Sequence, residues 1–196
     1  MSLFRMYFEL GIHHIIDLRG YDHILFIVTL SAVYLLRQWR HVLILVTAFT
    51  IGHSVTLALA TLNIIHISTV LVEILIPVTI LITSIFNITY KPLEISHKFH
   101  IIKYFTALFF GLIHGLGFSS YLRGLLGDET AIIKPLFAFN IGLEFGQIII
   151  VSVIMLLSYI FVIKGKALQR EWNLVTSGAG LGVSIILIIE RCMELL

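Results

Sequence analysis

Charge is scarce in this chain. Lysine plus arginine number 13 and aspartate plus glutamate 11 among 196 residues, or 12% of the sequence, against 59% hydrophobic residues, and the mean hydropathy is +1.04. A water-soluble domain of this length is not composed this way, so the chain reads as one integral membrane domain over 1–196. A formal net charge of +2 and the lack of any long basic run leave no footing for a nucleic-acid partner. One cysteine, Cys192, excludes an internal disulfide and any two-cysteine redox motif. The layout of a secretory leader is missing, because Glu9, His13 and His14 interrupt the N-terminal stretch early, and no processing is expected. The residue alternation of a β-barrel is missing too, which leaves an all-α polytopic membrane helix bundle. There is no linker, low-complexity tract or convincing repeat.

What is present is a set of apolar runs long enough to cross a bilayer, for which roughly 17–25 residues are needed. Six are expected, at about 21–36, 41–61, 68–89, 101–122, 133–163 and 173–195, with residues 4–18 forming a helix that lies at the interface or dips into it. Six crossings put both termini on one side. Eight of the 13 basic residues (Arg37, Arg40, Lys91, Lys98, Lys103, Lys164, Lys166, Arg170) then fall on the other side, with Arg5, Arg19, Arg123, Lys134 and Arg191 opposing them. The excess marks the cytoplasmic face, so both termini are expected outside the cytoplasm. Glu94 and Glu171 are the acids expected on the inner side. Trp39, Tyr90, Tyr104 and Trp172 are expected at inner span ends, and Tyr21 and Tyr121 at outer ones.

Against this apolar background stands "GIHHIIDLRGYDHILF" at 11–26. Placing each intramembrane polar group by the rise of about 1.5 Å per residue brings Asp22, His23, His53, Ser54, Glu73, His114, Asn140 and Glu190 to the outer half. Asn140, Glu144 and Gln147 share one helical face that reaches mid-membrane. Ionisable groups in hydrocarbon face one another or a cavity, so one polar chamber open to the outer side is expected. Imidazoles with a carboxylate suit Zn, Ni, Co or Fe better than Mg or Ca, which makes His14, Asp22, His23, His53, His114 and Glu144 the candidate metal residues. Either His13 or His14 is the first of these, and His13 also fits an interfacial position. Plainer readings stand beside this one. Asp22 suits a helix start. His53 and His114 suit either a ligand or a proton carrier. Glu73 sits four residues before Pro77 and suits a local backbone pairing, and Asn140 and Gln147 suit interhelix bonds. Gly111, Gly115 and Gly117 allow close helix contact, and Gly142 with Gly146 and Gly178 with Gly182 form small-residue pairs that suit packing. His41, His97 and His100 are expected in solvated inner loops. On the inner half only Thr47, Thr79 and Thr83 offer an ion any contact.

"GIHHIIDLRGYDHILF", "FTIGHSVTLALA", "VEILIPVTI", "FGLIHGLGF" and "FNIGLEFGQ", in this order, resemble the HupE/UreJ family of bacterial membrane proteins, most closely its second branch, common in Bacteroidetes-type bacteria. The resemblance implies a nickel or cobalt permease of the bacterial inner membrane, linked with hydrogenase and urease maturation. It maps the family's histidine–aspartate–histidine signature onto His14, Asp22 and His23, and its later histidines and glutamate onto His53, His114 and Glu144. That signature has five residues between the first histidine and the Asp-His pair; here seven intervene ("IIDLRGY").

Two functional classes follow. One is a divalent transition-metal permease (Ni, Co or Zn) with the metal ion as substrate. The other is an intramembrane zinc-type hydrolase or transferase acting on a lipid or membrane-anchored substrate, with Glu73 or Glu144 as general base and Asn140 as oxyanion donor. A metal-sensing or assembly subunit is a third. Membrane lipid surrounds the chain in every case, and a homo-oligomer or an accessory-protein partner is left open. In a Cys192→Ser background, a single cysteine placed within 91–100 should resist membrane-impermeant maleimide in intact cells and react after permeabilisation; labelling from outside would reverse the orientation.

Overall fold

The computed structural model describes residues 2–18, 20–89, 97–126 and 132–194. The expectations for Arg19, Tyr90, Lys91 and Glu94 lie outside the described residues. Among the described residues there is no strand. Eight α-helices follow one another: α1 (Leu3–Ile16), α2 (Asp22–Ser31), α3 (Trp39–Thr61), α4 (Thr69–Thr89), α5 (His97–Gly117), α6 (Ser119–Leu126), α7 (Ile133–Ser158) and α8 (Gln169–Met193). A 3-10 turn, Leu36–Gln38, leads into α3, and a π-helical segment, Tyr159–Lys164, extends α7. Five segments are long and apolar enough to cross a membrane: Leu36–Thr61, Thr69–Thr89, His97–Gly117, Ile133–Lys164 and Gln169–Met193.

Glycines decide the pairing of these helices, since without a Cβ two backbones can touch. A Cβ on Gly111 would run into the Phe49 carbonyl oxygen, one on Gly115 into that of His53, and one on Gly52 into that of Leu108. α3 and α5 therefore lie side by side, and the order of these contacts makes them parallel. In the same way Gly11 meets the Phe139 carbonyl, Gly142 the Phe8 carbonyl and Gly146 the Ile15 side chain, so α1 runs parallel to α7. α4 and α8 are antiparallel: Ser84 lies by Gly180, Asn87 bonds Ser177, and Glu73 meets Arg191. Gly178 and Gly182, expected as packing glycines, face open space; the α8 turn that packs on α4 instead carries Gly180.

The first crossing differs from expectation. The apolar run 21–36 is not one span but the ten-residue α2, about 15 Å long against a hydrocarbon core of about 30 Å. It stops without glycine or proline because tertiary partners take over its end: the Gln169 side chain donates to the Val33 carbonyl, and the Leu35 N–H donates to Gln38 Oε1. α2 runs from His23, beside His114, toward Tyr34, beside His100, hence antiparallel to α5. α7 also runs that way, with Phe139 stacked on Phe118 just beyond α5 and Tyr159 and Ile163 beside Leu35 and Arg37 before α3. α1 shares the direction of α7, so α1 and α2 follow one another as two parts of one broken crossing. The end of the bundle near His114 is called here the chamber end, and the end near His100 the far end.

Other boundaries shift for similar reasons. The fourth expected span, 101–122, ends at Gly117, and α6 turns across the chamber end, where Arg123 donates to Asn63 Oδ1 and to the Ala60 carbonyl at the end of α3. Lys103, expected in an inner loop, lies inside α5 at 2% exposure. His41 and His100 are not solvated loop residues either. Their rings stack at 3.7 Å, and their Nδ1 atoms meet the hydroxyls of Tyr104 and Tyr34.

Gly111→Ala should lower the melting temperature of the purified protein in detergent, by an overpacking cost of about 1–3 kcal/mol, because its Cβ meets backbone atoms that cannot move aside. Gly178→Ala should leave it unchanged or raise it slightly.

Candidate metal centre

The break in the first crossing and the α3–α5 contact bring imidazoles from four helices together. His14 lies in the last turn of α1, His23 in the first turn of α2, His53 on α3 opposite Gly115, and His114 in the last turn of α5. The His14 and His23 ring centroids are 4.6 Å apart, His23 and His114 5.1 Å, His14 and His53 5.9 Å, and His23 and His53 6.4 Å. Phenylalanines wall the group: Phe118 lies 4.1 Å from His14, Phe26 4.9 Å and Phe49 5.1 Å from His114, and Phe139 6.4 Å from His53. His53 and His114 are fully buried.

Two hydrogen bonds set the ring orientations. Asp22 Oδ1 accepts from the His23 backbone N–H at 2.8 Å and pairs with His23 Nδ1 at 2.9 Å. A carboxylate there keeps the proton on Nδ1 and leaves the Nε2 lone pair free. The Thr79 hydroxyl donates its one hydrogen to the Ile76 carbonyl at 2.6 Å, so its 2.9 Å contact with His114 Nε2 requires that nitrogen to be the donor. The free lone pair of His114 is therefore Nδ1.

The remaining nitrogens have nothing to bind. His14 Nε2, His23 Nε2, both nitrogens of His53 and His114 Nδ1 are buried without a hydrogen-bond partner. Leaving one such group unsatisfied costs about 1–3 kcal/mol, and five in one enclosure point to a species that binds them. One nitrogen from each of His14, His23 and His53 lies within 4.8 Å of the others, a grouping that could hold a metal ion. His114 stands beside this trio and outside it. Three neutral imidazoles suit Zn, Ni, Co or Cu rather than Mg or Ca.

The carboxylates stand differently from the imidazoles. Asp22 orients His23. Glu144 is half-buried and accepts a 2.7 Å bond from Thr47, which stands six residues before His53 on α3. Beside it, Gln147 Oε1 accepts from Thr50 at 2.9 Å. Glu73 pairs at 3.8 Å with Arg191, both partly exposed. Asn140 Oδ1 is buried without a partner. The trio contains His14 and not His13. The phenylalanine walls were not anticipated, and Thr79, expected on the inner half, lies beside His114 at the chamber end.

Asp22→Asn should weaken Ni²⁺ or Zn²⁺ binding by about 10–100-fold while leaving the fold intact, and His53→Ala should weaken it further, both read by calorimetric titration of purified protein.

The family model described as "HupE / UreJ protein" matches residues 1–191. No curated protein and no solved structure matches the chain.

Proposed function

The chain belongs to the HupE/UreJ family, and from that membership together with the unpartnered imidazoles we propose that it is a divalent transition-metal permease of the nickel/cobalt type. One observation carries the proposal: His14, His23 and His53 offer buried, unpartnered nitrogens within 4.8 Å of one another at the break of a crossing helix. Discontinuous helices whose ends meet mid-bundle are how transporters build ion sites that open to one side at a time. Here the break carries His14 on one half and Asp22 with His23 on the other.

In this reading the metal ion is the substrate. It enters from the chamber end, is taken by His14, His23 and His53 with Asp22 holding His23, and has His114 as a neighbouring donor. It then moves between α3 and α7, where Gln147 with Thr50 and Glu144 with Thr47 offer oxygen acceptors along the way. Passage requires that these ligands release the ion again. Glu144 supplies the next charge and draws the ion inward. With the chamber end outside, both termini are extracytoplasmic and the protein sits in a bacterial inner membrane.

The hydrolase alternative needs a carboxylate beside the trio to act as base. Glu144 is bonded to Thr47, Glu73 to Arg191 and Asp22 to His23, so no specific observation favours that alternative.

Purified protein reconstituted into phospholipid vesicles should admit Ni²⁺ or Co²⁺, followed by an entrapped metal-sensitive dye. Glu144→Gln should fold and still bind metal at the imidazoles, yet lose uptake at least about tenfold, the loss expected when a 1.4 kcal/mol interaction is removed from the passage. Uptake equal to the parent's would remove Glu144 from the path.

A further inference from the structure

A second buried ionisable group lies on the same helix as His114 and outside the metal path just described. Lys103 is 2% exposed. Its ammonium has three N–H donors, and the structure supplies one acceptor, Asn87 Oδ1 at 2.6 Å. The rings of Phe86 and Phe99 lie 5.5 and 5.9 Å away. Among the described residues no carboxylate pairs with it. The surroundings add no compensation: α8 brings Arg170, which donates to the Asn87 and Ile88 carbonyls, α5 brings His100 one turn away, and α2 and α4 bring no titratable side chain against it.

The single acceptor is fixed in place. Asn87 Nδ2 donates to the Thr29 carbonyl at 2.7 Å and to Ser177 Oγ at 3.1 Å, and Asn173 Nδ2 donates to the Asn87 carbonyl at 2.8 Å. The amide oxygen thus always faces Lys103. Being uncharged, it accepts a hydrogen from an ammonium or from a neutral amine. A lysine kept for a permanent structural charge is paired with a carboxylate; one held by a neutral acceptor in an apolar site can give its proton up.

Position links this group to the metal centre. α4 and α5 run antiparallel with His114 on Thr79 toward the chamber and Lys103 on Asn87 toward the far end. Lys103 and His114 are 11 residues apart, three helical turns, so they share one face of α5 about 16 Å apart along its axis. A dication at the imidazoles and an ammonium at Lys103 repel each other through the low-dielectric interior between them.

We propose that Lys103 is the proton-exchanging residue of a metal/proton antiport cycle. This rests on the permease reading above. When the dication binds in the chamber, an N–H bond of the Lys103 ammonium breaks, the electron pair stays on Nζ, and the proton passes along the α4 face that carries Thr83 and Thr79 between Asn87 and His114 to water on the chamber side. When the metal has left at the far end, Nζ takes a proton from water there. One proton moves outward for each ion that moves inward, because the interior holds either charge but not both.

The test compares the parent, Lys103→Met and Lys103→Arg in vesicles of phosphatidylethanolamine and phosphatidylglycerol that contain a pH dye and a metal-sensitive dye, with Ni²⁺ alone as the probe. Ni²⁺ titration in detergent first reports whether each variant keeps the folded chamber; Lys103→Arg retains size and charge if Lys103→Met does not fold. The parent should show nickel entry with opposite proton movement. Both variants should bind nickel yet lose nickel-driven proton movement at least about tenfold. Parent-like proton movement in Lys103→Met would overturn the proposal, and so would parent-like movement in Lys103→Arg, since a fixed charge would then suffice. Nickel entry by the parent without proton movement would overturn the exchange and leave the permease standing. A parent that binds nickel and never admits it would overturn both.

Discussion

Direct contact between helix backbones is the constraint on which the metal centre depends. At Gly111 and Gly115 the α5 backbone rests on the α3 carbonyls of Phe49 and His53, and at Gly11 and Gly142 α1 rests on α7 in the same way. Each contact fixes both the separation and the register of its helix pair. Register then decides which side chains meet. His53 and His114 come to similar depth because Gly115 is opposite His53, and His14 reaches them because Gly11 is locked beside Phe139. An added methyl group at any of these glycines shifts a whole helix and with it an imidazole.

Polar groups below the chamber divide by sign of dipole. The seam between α3 and α7 presents oxygen acceptors, among them the Glu144 carboxylate. The seam between α4, α5 and α8 ends in Lys103, with Arg170 close by. In the proposed permease, a cation leaving the imidazoles would be drawn along the first and repelled by the second. Burying either charge in an apolar bundle is costly, and their separation onto opposite seams keeps them from cancelling as an ion pair.

Much of this was legible in the sequence, and the reasons are physical. A histidine or carboxylate inside a long apolar run is rare enough to mark a site, so His14, His23, His53, His114 and Glu144 stood out, and the common depth of the imidazoles followed from counting residues. Gly111 and Gly115 were readable as contact points for the same reason. The end of α2 was not readable: no breaker residue lies in 21–36, and the helix stops because Gln169, far along the chain, bonds Val33. Lys103 was misplaced because a lysine near a run's end is ordinarily an interfacial charge; only the Asn87–Asn173–Ser177 network, drawn from two other helices, makes a buried ammonium tenable. His41 and His100 were misplaced likewise, as their stacking requires the parallel packing of α3 on α5.

The docking of α1 also bears on the order in which the molecule is made. α1 is synthesised first, yet the surface it rests on belongs to α7, more than a hundred residues later in the chain. During synthesis the ribosome has delivered α1 and α2 long before that surface exists, and contacts so distant in sequence form late. His14 therefore joins His23 and His53 only after α7 has been inserted. The nascent chain passes through the membrane-insertion machinery without a complete imidazole trio, and the packed trio arrives with the last steps of assembly.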